Sequence, residues 1–454
     1  MSQSIKIANV QAFWGDYSMA ARDMCQQAPD VDYLTMDYLA EVSMSILAKQ
    51  MRRNPGVGYA RDFIQVIESV APFWKAGSNF KLISNAGGLT PKACAERCAE
   101  VLREAGCEGK RIGVVAGDSV LSELQNATTD IPNFRNIDTG EPIQKHQAEL
   151  LTANAYIGAK PIVDALRADT DLVITGRVAD PSMVVAPCLF EHGWSWDDYD
   201  RLAAGTVAGH LIECGTQVTG GVSSHWLELD NVQNIGYPII EVDADGNCIV
   251  TKPGGTGGRV DERSVKEQLL YELGDPANYL SPDVKVSFLG LSVKDLGNDR
   301  VQVIGAKGSP PPDTLKVSGT YAGGFYSTGQ LTIYGLDAAK KAQRAGEVVL
   351  QRLAQQGLQP EESRIECLGA GGVAPVSEAR RGDAVEVVLR VSVADPRKEV
   401  TQQFANDWVS LVCSGPQGTT GYAGGRPRVQ QTVAYWPCLI EATQVPVSVE
   451  VFEV

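Results

Sequence analysis

Histidine, basic residues and long hydrophobic runs are all scarce in this sequence. Only 4 of the 454 residues are histidine, and no apolar run approaches the ~20 residues that a membrane-spanning helix needs. The 40 lysines and arginines are outnumbered by 55 aspartates and glutamates, which gives a formal net charge of −15. Because nucleic acids and anionic membranes attract clustered basic residues, we expect neither as a partner. A local group of donors can still bind a small anion inside an acidic protein.

The sequence motifs of the common cofactors are also missing. There is no glycine-rich dinucleotide fingerprint and no Walker motif, so we expect neither NAD, FAD nor ATP. HExxH and GxSxG, which mark many hydrolases, are absent as well. The ten cysteines form no CxxC pair, and the first residues predict a strand rather than a secretory signal peptide. Reduced thiols and a cytoplasmic location are therefore expected.

Strand and helix signals alternate in the first half of the chain. Apolar runs predict strands over residues 5–9, 31–36, 80–84, 111–117 and 171–176. Continuous apolar strands separated by helices are typical of a parallel sheet covered on both faces. We therefore predict an α/β protein whose residues 1–230 form a Rossmann-like domain that carries the active site.

The second half of the chain has strands in series, with few helices between them. Residues 330–353 and 387–411 share one pattern, which is a strand, a turn at an aspartate and a long helix. Two strand–helix units with additional strands are typical of an α+β domain. We assign that domain to residues 231–454, since about 100–200 residues are usual for one domain.

Polar or flexible residues follow each predicted strand of the first half. Ligands of open parallel sheets bind beyond the carboxyl ends of the strands. The candidates there are the acids Asp37, Glu41 and Asp180 for catalysis, and Asp16, Asn85, Gly87, Gly88 and Arg177 for substrate binding. The spacing of Asp37 and Glu41 predicts one helix face. For any single residue of the set, an ordinary loop or capping role is the alternative.

The stretch SNAGGLTP predicts an anion-binding helix start. Two glycines allow close approach of the backbone, and Thr90-Pro91 is a strong signal for the first turn of a helix. Free N–H groups at such a start favour a carboxylate or a phosphate. Arg177 is a plausible second ligand of that anion; alternatively, it pairs with Asp180 and braces the loop.

The stretch GHLIECGTQVTGG brings several reactive side chains together. His210 and Cys214 are four residues apart, as are Glu213 and Gln217, which on a helix makes two neighbouring pairs. His210 and Glu213 are candidate acid–base residues, and Gln217 is a candidate substrate ligand. Cys214 is more typical of a packed small residue than of a nucleophile. The glycine-rich segment KPGGTGGRV adds two further candidate substrate ligands, Lys252 and Thr256.

Several of these segments together resemble the acyclic terpene utilisation protein A (AtuA) family. They are TMDYLAEVSMSIL, SNAGGLTP, VITGRVADPSMVVAP, HLIECGTQVTGG, EVDADGNCIVTKPGGTGG and VKEQLLYEL. The resemblance is strongest over residues 5–290 and looser beyond. It implies catabolism of acyclic terpenes and other branched acids through acyl-CoA thioesters. It assigns no catalytic role to any residue.

The sequence favours a lyase or hydro-lyase that acts on a small carboxylic acid or an acyl-CoA thioester. Such a reaction needs an acid, a base and a group that holds an oxyanion or carboxylate, and the candidates above supply all three. Two alternatives stay open, namely a metal-assisted hydrolase and a non-catalytic subunit of an acyl-CoA-processing complex. The sequence identifies no metal, although a divalent ion would suit the acids. A homo-oligomer is expected from the general habit of such enzymes.

Overall fold

In this computed structural model, residues 4–454 are described, except for the side chain of Glu41. The described helices are α1 (Ala20–Gln27), α2 (Glu41–Met51), α3 (Asp62–Lys75), α4 (Pro91–Glu104), α5 (Leu121–Gln125), α6 (Lys160–Arg167), α7 (Ser182–His192), α8 (Tyr199–Ile212), α9 (Glu262–Leu270), α10 (Ala338–Gln355), α11 (Glu378–Gly382), α12 (Lys398–Trp408) and α13 (Leu411–Ser414).

The described strands are β1 (Ile5–Asn9), β2 (Tyr33–Met36), β3 (Lys81–Ser84), β4 (Arg111–Ala116), β5 (Leu150–Ala155), β6 (Leu172–Thr175), β7 (Ile239–Val242), β8 (Cys248–Thr251), β9 (Tyr279–Leu280), β10 (Lys285–Ser287), β11 (Ser292–Asp295), β12 (Val301–Ile304), β13 (Lys307–Ser309), β14 (Thr314–Tyr334), β15 (Glu362–Leu368), β16 (Glu386–Asp395), β17 (Thr419–Thr420), β18 (Val429–Glu441) and β19 (Ser448–Glu453).

The chain divides into two compact units. The first comprises Met1–Thr320 and Tyr435–Val454, and the second is the segment Tyr321–Ala434. This division differs from the boundary at residue 230 that the sequence predicts. The reason is that β7, β8, β11 and β12, which follow residue 230, extend the main sheet of the first unit.

The first unit is built on a ten-stranded mixed sheet with the order β11-β12-β8-β7-β1-β2-β3-β6-β4-β19. The five strands predicted for the first half of the chain, β1, β2, β3, β6 and β4, are adjacent and parallel. Antiparallel strands continue the sheet on both sides of them. The protein is thus of the mixed α/β class. The Rossmann-like arrangement is not confirmed, because β1, β2 and β3 follow one another without the reversal of strand order that marks that fold.

Helices cover both faces of the parallel strands. On one face of the sheet α3 packs between α1 and α4. On the other face α7 packs between α6 and α8. Leu34 and Met36 of β2 belong to the core formed with the first group of helices, whereas the hydroxyl of Tyr33 donates to Glu191 of α7. Since successive side chains of a strand point to opposite faces, the two groups of helices lie on opposite sides of the sheet.

The second unit contains a sheet with the order β15-β16-β14-β17, in which β14 contributes its C-terminal part. The strand–helix pairs β14–α10 and β16–α12 correspond to the two similar sequence segments. Both α10 and α12 pack against β16. Alternate residues of β16, from Val387 to Val393, are buried in one core with α10. The alternation explains the strand, because one face is apolar and the other polar.

The cysteines and the apolar segments of the structure show neither cross-links nor spanning helices within residues 4–454. All ten cysteines are free, and only Cys413 is exposed. No described helix combines the length and the hydropathy that crossing a membrane would require. Burial raises the pKa of the Cys214 thiol, which keeps it protonated at neutral pH.

Gly87 lies where the backbone after β3 approaches both β6 and α4. A Cβ at this position would lie 2.6 Å from the Thr175 carbonyl oxygen and 2.8 Å from the Pro91 Cα atom. Because both are backbone atoms, we predict that Gly87→Ala lowers the free energy of unfolding by about 1–3 kcal/mol, as measured by urea denaturation. The control is Gly274→Ala, where a Cβ meets nothing within 4 Å. Equal destabilisation by the two changes would contradict this packing role.

Candidate functional site

The carboxyl ends of β2, β3 and β6 bring four of the predicted polar residues together. Asp37 directly follows β2, Asn85 directly follows β3, and Arg177 lies two residues beyond β6. These strands are neighbours and parallel, so their carboxyl ends meet at one edge of the sheet. Asp180 joins the group from the segment between β6 and α7, where its carboxylate lies 3.3 Å from the Arg177 guanidinium.

Asp37 is held by hydrogen bonds to its carboxylate rather than by a helix. Its Oδ1 accepts from Asn85 Nδ2 at 2.7 Å and from the Leu39 backbone N–H at 3.1 Å. These bonds keep the segment before α2 out of the helix, which begins only at Glu41. The shared helix face predicted for Asp37 and Glu41 is therefore wrong. The side chain of Glu41 lies outside the described residues.

Arg177 is almost completely buried, with 2% of its surface exposed. One Nη donates to the Leu39 carbonyl, and the guanidinium carbon lies 4.2 Å from the centre of the Tyr156 ring. Its Nε–H has no hydrogen-bond partner among the described residues. The ion pair with Asp180 is the alternative that the sequence left open. The buried, unpartnered N–H leaves one donor available to a ligand.

Asp118 fixes the backbone of Arg177 and was not among the predicted site residues. Its Oδ2 accepts from the Arg177 backbone N–H at 3.0 Å and from Asn154 Nδ2 at 2.7 Å. Asp118 follows β4, so it satisfies the same strand-end rule that identified Asp37 and Asn85. Tyr156 was missed for a different reason, because β5 pairs with β14 and lies outside the main sheet.

The two carboxyl groups of Asp37 and Asp180 are unusual acids. Burial raises the pKa of Asp37 to about 6, although Arg177 and Asn85 oppose the rise. Burial also raises the pKa of Asp180 well above its ordinary value; Arg177 opposes this rise, and the charges of Asp37 and Glu213 add to it. The Asp180 side chain is 32% exposed, but its Oδ1 atom is buried. Because the two groups repel when both are ionised, the pair keeps one proton to a higher pH than two isolated carboxyl groups would.

His210 and Glu213 form a second buried pair at the end of α8. His210 Nδ1 lies 2.9 Å from Glu213 Oε1, and Asn9 Nδ2 donates to the carbonyls of Ile212 and Glu213. Burial lowers the pKa of His210, but the hydrogen bond and charge of Glu213 outweigh it and leave the pKa raised. Neither His210 Nε2 nor Glu213 Oε2 has a hydrogen-bond partner among the described residues. The pair can therefore accept or deliver a proton through either atom.

The predicted i,i+4 pairs of this stretch do not form on one helix. Helix α8 ends at Ile212, and a 3-10 turn with Gly215 at φ +56° follows. The turn rotates Cys214 and Gln217 away from helical positions, so His210 pairs with Glu213 at i,i+3 instead. The Gln217 side chain lies beside Tyr271 and opposes the rise in the pKa of that phenol, which the charge of Glu272 causes first.

A cavity of about 300 Å³ opens beside these acids. Its polar lining comes from Tyr156, Arg177, Asp180, Tyr279 and Lys316, and the remainder is mostly proline and leucine. The ring of Tyr279 lies 5.9 Å from that of His210, which connects the cavity wall to the second pair. Small-molecule sites combine apolar walls with a few convergent polar groups in this way, and this volume is at the small end of their range.

Two predicted ligands in the glycine-rich segment after β8 bond to each other. Lys252 Nζ donates to the Thr256 carbonyl at 2.9 Å and lies 3.1 Å from Asp299 Oδ2. The Thr256 hydroxyl donates to the Pro253 carbonyl at 2.6 Å. These contacts brace the segment, and neither side chain lines the cavity beside Arg177.

Asp16 and Gly88 likewise have local partners. Asp16 accepts from the Ala12 backbone and from the Tyr237 hydroxyl. Gly88 has φ +53°, and a Cβ there would lie 2.7 Å from the Gly58 carbonyl oxygen. Gly88 therefore meets a packing requirement, as Gly87 does. Within residues 4–454, Glu41 aside, no three His, Cys, Asp or Glu side chains are grouped as a metal ion requires.

The raised pKa of Asp180 makes a prediction for stability. A raised pKa means that ionisation of Asp180 disfavours the folded state once the pH exceeds the unfolded-state value. We predict that Asp180→Asn raises the melting temperature by about 1–3 °C at pH 8, and that the gain shrinks as the pH falls toward 4, where the acid is protonated in both states. Differential scanning calorimetry across this range measures it. The exposed Asp138→Asn is the control, and a constant gain at all pH values would refute the assignment.

The family model described as acyclic terpene utilisation family protein AtuA matches residues 5–451. No curated protein and no solved structure matches the chain. The match includes every residue of the two buried acid pairs and of the cavity beside them. The chain therefore belongs to the AtuA family of acyclic terpene utilisation proteins.

Proposed function

We propose that this protein is a lyase or hydro-lyase that acts on a small carboxylic acid or its acyl-CoA thioester, within the acyclic terpene utilisation that its family implies. One observation carries the proposal. Asp180, a carboxyl group that retains a proton, lines an apolar cavity next to a buried arginine with an unused N–H donor. A proton donor beside an oxyanion-binding group is the combination that elimination next to a carbonyl requires.

The residues divide into three roles in such an elimination. Arg177 binds the carboxylate or thioester oxygen, where negative charge develops as the Cα–H bond breaks. Glu213, held by His210, accepts the proton from that carbon. Asp180 gives its proton to the leaving hydroxyl, so that water departs and a carbon–carbon double bond forms. Glu213 then releases its proton to solvent and Asp180 takes one up from solvent, which restores both groups for the next turnover.

The walls of the cavity fit a branched acyl chain. Leu280, Leu315 and Leu439 line it together with Pro282 and Pro312. At about 300 Å³ it has room for a short branched acyl group but not for a whole CoA thioester. If the substrate is a thioester, the carrier therefore extends outside this cavity.

The first test incubates the protein with 3-hydroxy-3-methylbutanoate or its CoA thioester. It follows exchange of the Cα hydrogen with solvent and loss of water from the compound. In D₂O, we predict deuterium at Cα and loss of water, both read by mass spectrometry. Asp180→Asn should lower the rate of water loss about 10²–10⁴-fold, while Asp138→Asn should leave it unchanged. Equal rates in the two variants would remove Asp180 from the reaction.

The same samples separate the two alternative functions. Release of free CoA thiol without deuterium at Cα would indicate a thioester hydrolase. If neither compound changes, the proposal fails for this substrate class and a partner pull-down tests the subunit alternative.

A further inference from the structure

A second cation lies at the same cavity as Arg177. Lys316, on the N-terminal part of β14, lines the cavity and is exposed, whereas Arg177 at the other polar position is buried. The Tyr156 ring contacts both, with the Arg177 guanidinium 4.2 Å and the Lys316 Nζ 5.1 Å from its centre. The two cations thus mark the inner and outer parts of one small cavity.

The charge of Lys316 is not neutralised by a described carboxylate. Its Nζ forms no ion pair with an acid of residues 4–454, Glu41 aside, and it faces two aromatic rings. Besides Tyr156, it faces Tyr435 at 5.9 Å from the ring centre, and the buried Tyr435 hydroxyl has no hydrogen-bond partner among the described residues. An ammonium between aromatic faces remains available to an anion.

We propose that Lys316 is a specificity-determining residue that binds a second anionic group of the substrate, at the outer part of the cavity. The preferred ligand then has an apolar branched body with a carboxylate or thioester oxygen at Arg177 and a further anion at Lys316. That anion is either a second carboxylate or a phosphate of the CoA carrier, which share the same chemistry toward an ammonium. The inference rests on the proposed function for the orientation of the substrate, but its test needs no turnover.

Binding of matched small molecules tests the proposal. Isovalerate and 3-methylglutarate share a branched skeleton and differ by one carboxylate. Isovaleryl-CoA and isovaleryl-pantetheine share the acyl group and the pantetheine arm, and differ by the nucleotide that carries the phosphates of CoA. Isothermal titration calorimetry on the wild-type protein should show 3-methylglutarate or isovaleryl-CoA binding about fivefold more tightly than its matched partner.

Variants of Lys316 then assign the preference. Lys316→Gln should abolish it, and Lys316→Arg should retain most of it. The exposed Lys294→Gln, which removes the same charge elsewhere, should leave it intact. Loss of the preference for 3-methylglutarate identifies a second carboxylate, whereas loss of the preference for isovaleryl-CoA identifies a carrier phosphate.

The proposal is overturned if neither pair shows a preference, if no compound binds, or if Lys316→Gln keeps the wild-type ratio. These results are distinguishable from failure of the elimination chemistry. A normal binding preference without deuterium exchange would refute the reaction and leave Lys316 as an anion ligand. Deuterium exchange without any binding preference would refute the role of Lys316 and leave the proposed reaction standing.

Discussion

Burial of the Arg177 guanidinium is the constraint on which the rest of the site depends. A charged group with 2% exposure is strongly unfavourable unless acceptors surround it. The edge of the sheet supplies them from three directions: the Leu39 carbonyl after β2, a carboxyl oxygen of Asp180 before α7 and the Tyr156 ring after β5. Asp118 fixes the arginine backbone in addition. The buried guanidinium therefore holds each of these segments in place, so the polar groups of the site are positioned before a ligand binds.

The buried acids around Arg177 supply the acidic groups that the proposed reaction needs. Arg177 opposes the rise of the pKa in both Asp37 and Asp180, yet burial and mutual repulsion prevail. A fold selected for stability alone would not bury both Asp37 and Asp180 beside one arginine, since unneutralised buried charge is destabilising. Such clusters with shifted pKa values are characteristic of functional sites, where stability is sacrificed for reactivity. The His210–Glu213 pair extends the cluster, because the charge of Glu213 acts on both aspartates.

The sequence predicted the parts of the site that follow from strand order and missed those that follow from local backbone detail. Asp37, Asn85 and Arg177 could be placed together because the carboxyl ends of parallel strands share one edge. The helix faces predicted for Asp37 and for Cys214 were wrong, although α2 does begin at Glu41. The hydrogen bond from the Leu39 backbone to the Asp37 side chain delays the start of α2, and Gly215 adopts a left-handed conformation in the turn after α8. Neither feature changes the spacing of apolar residues from which helices are predicted. The antiparallel strands on both sides of the main sheet were not predicted, because the short strands after residue 230 were assigned to a separate domain.

Long-range contacts were beyond prediction for another reason. Tyr156 and Lys316 meet through the pairing of β5 with β14, and no spacing in the sequence encodes that neighbourhood. Their position also shows how a chain with a net charge of −15 could bind the proposed anionic substrate. At physiological ionic strength, charges more than about 8 Å away are largely screened, so the field in the cavity is set by Arg177, Lys316 and the protonation of the nearby acids. Retention of a proton by the aspartate pair lowers the local negative charge, and in the proposed reaction that proton would therefore also favour binding of an anionic substrate.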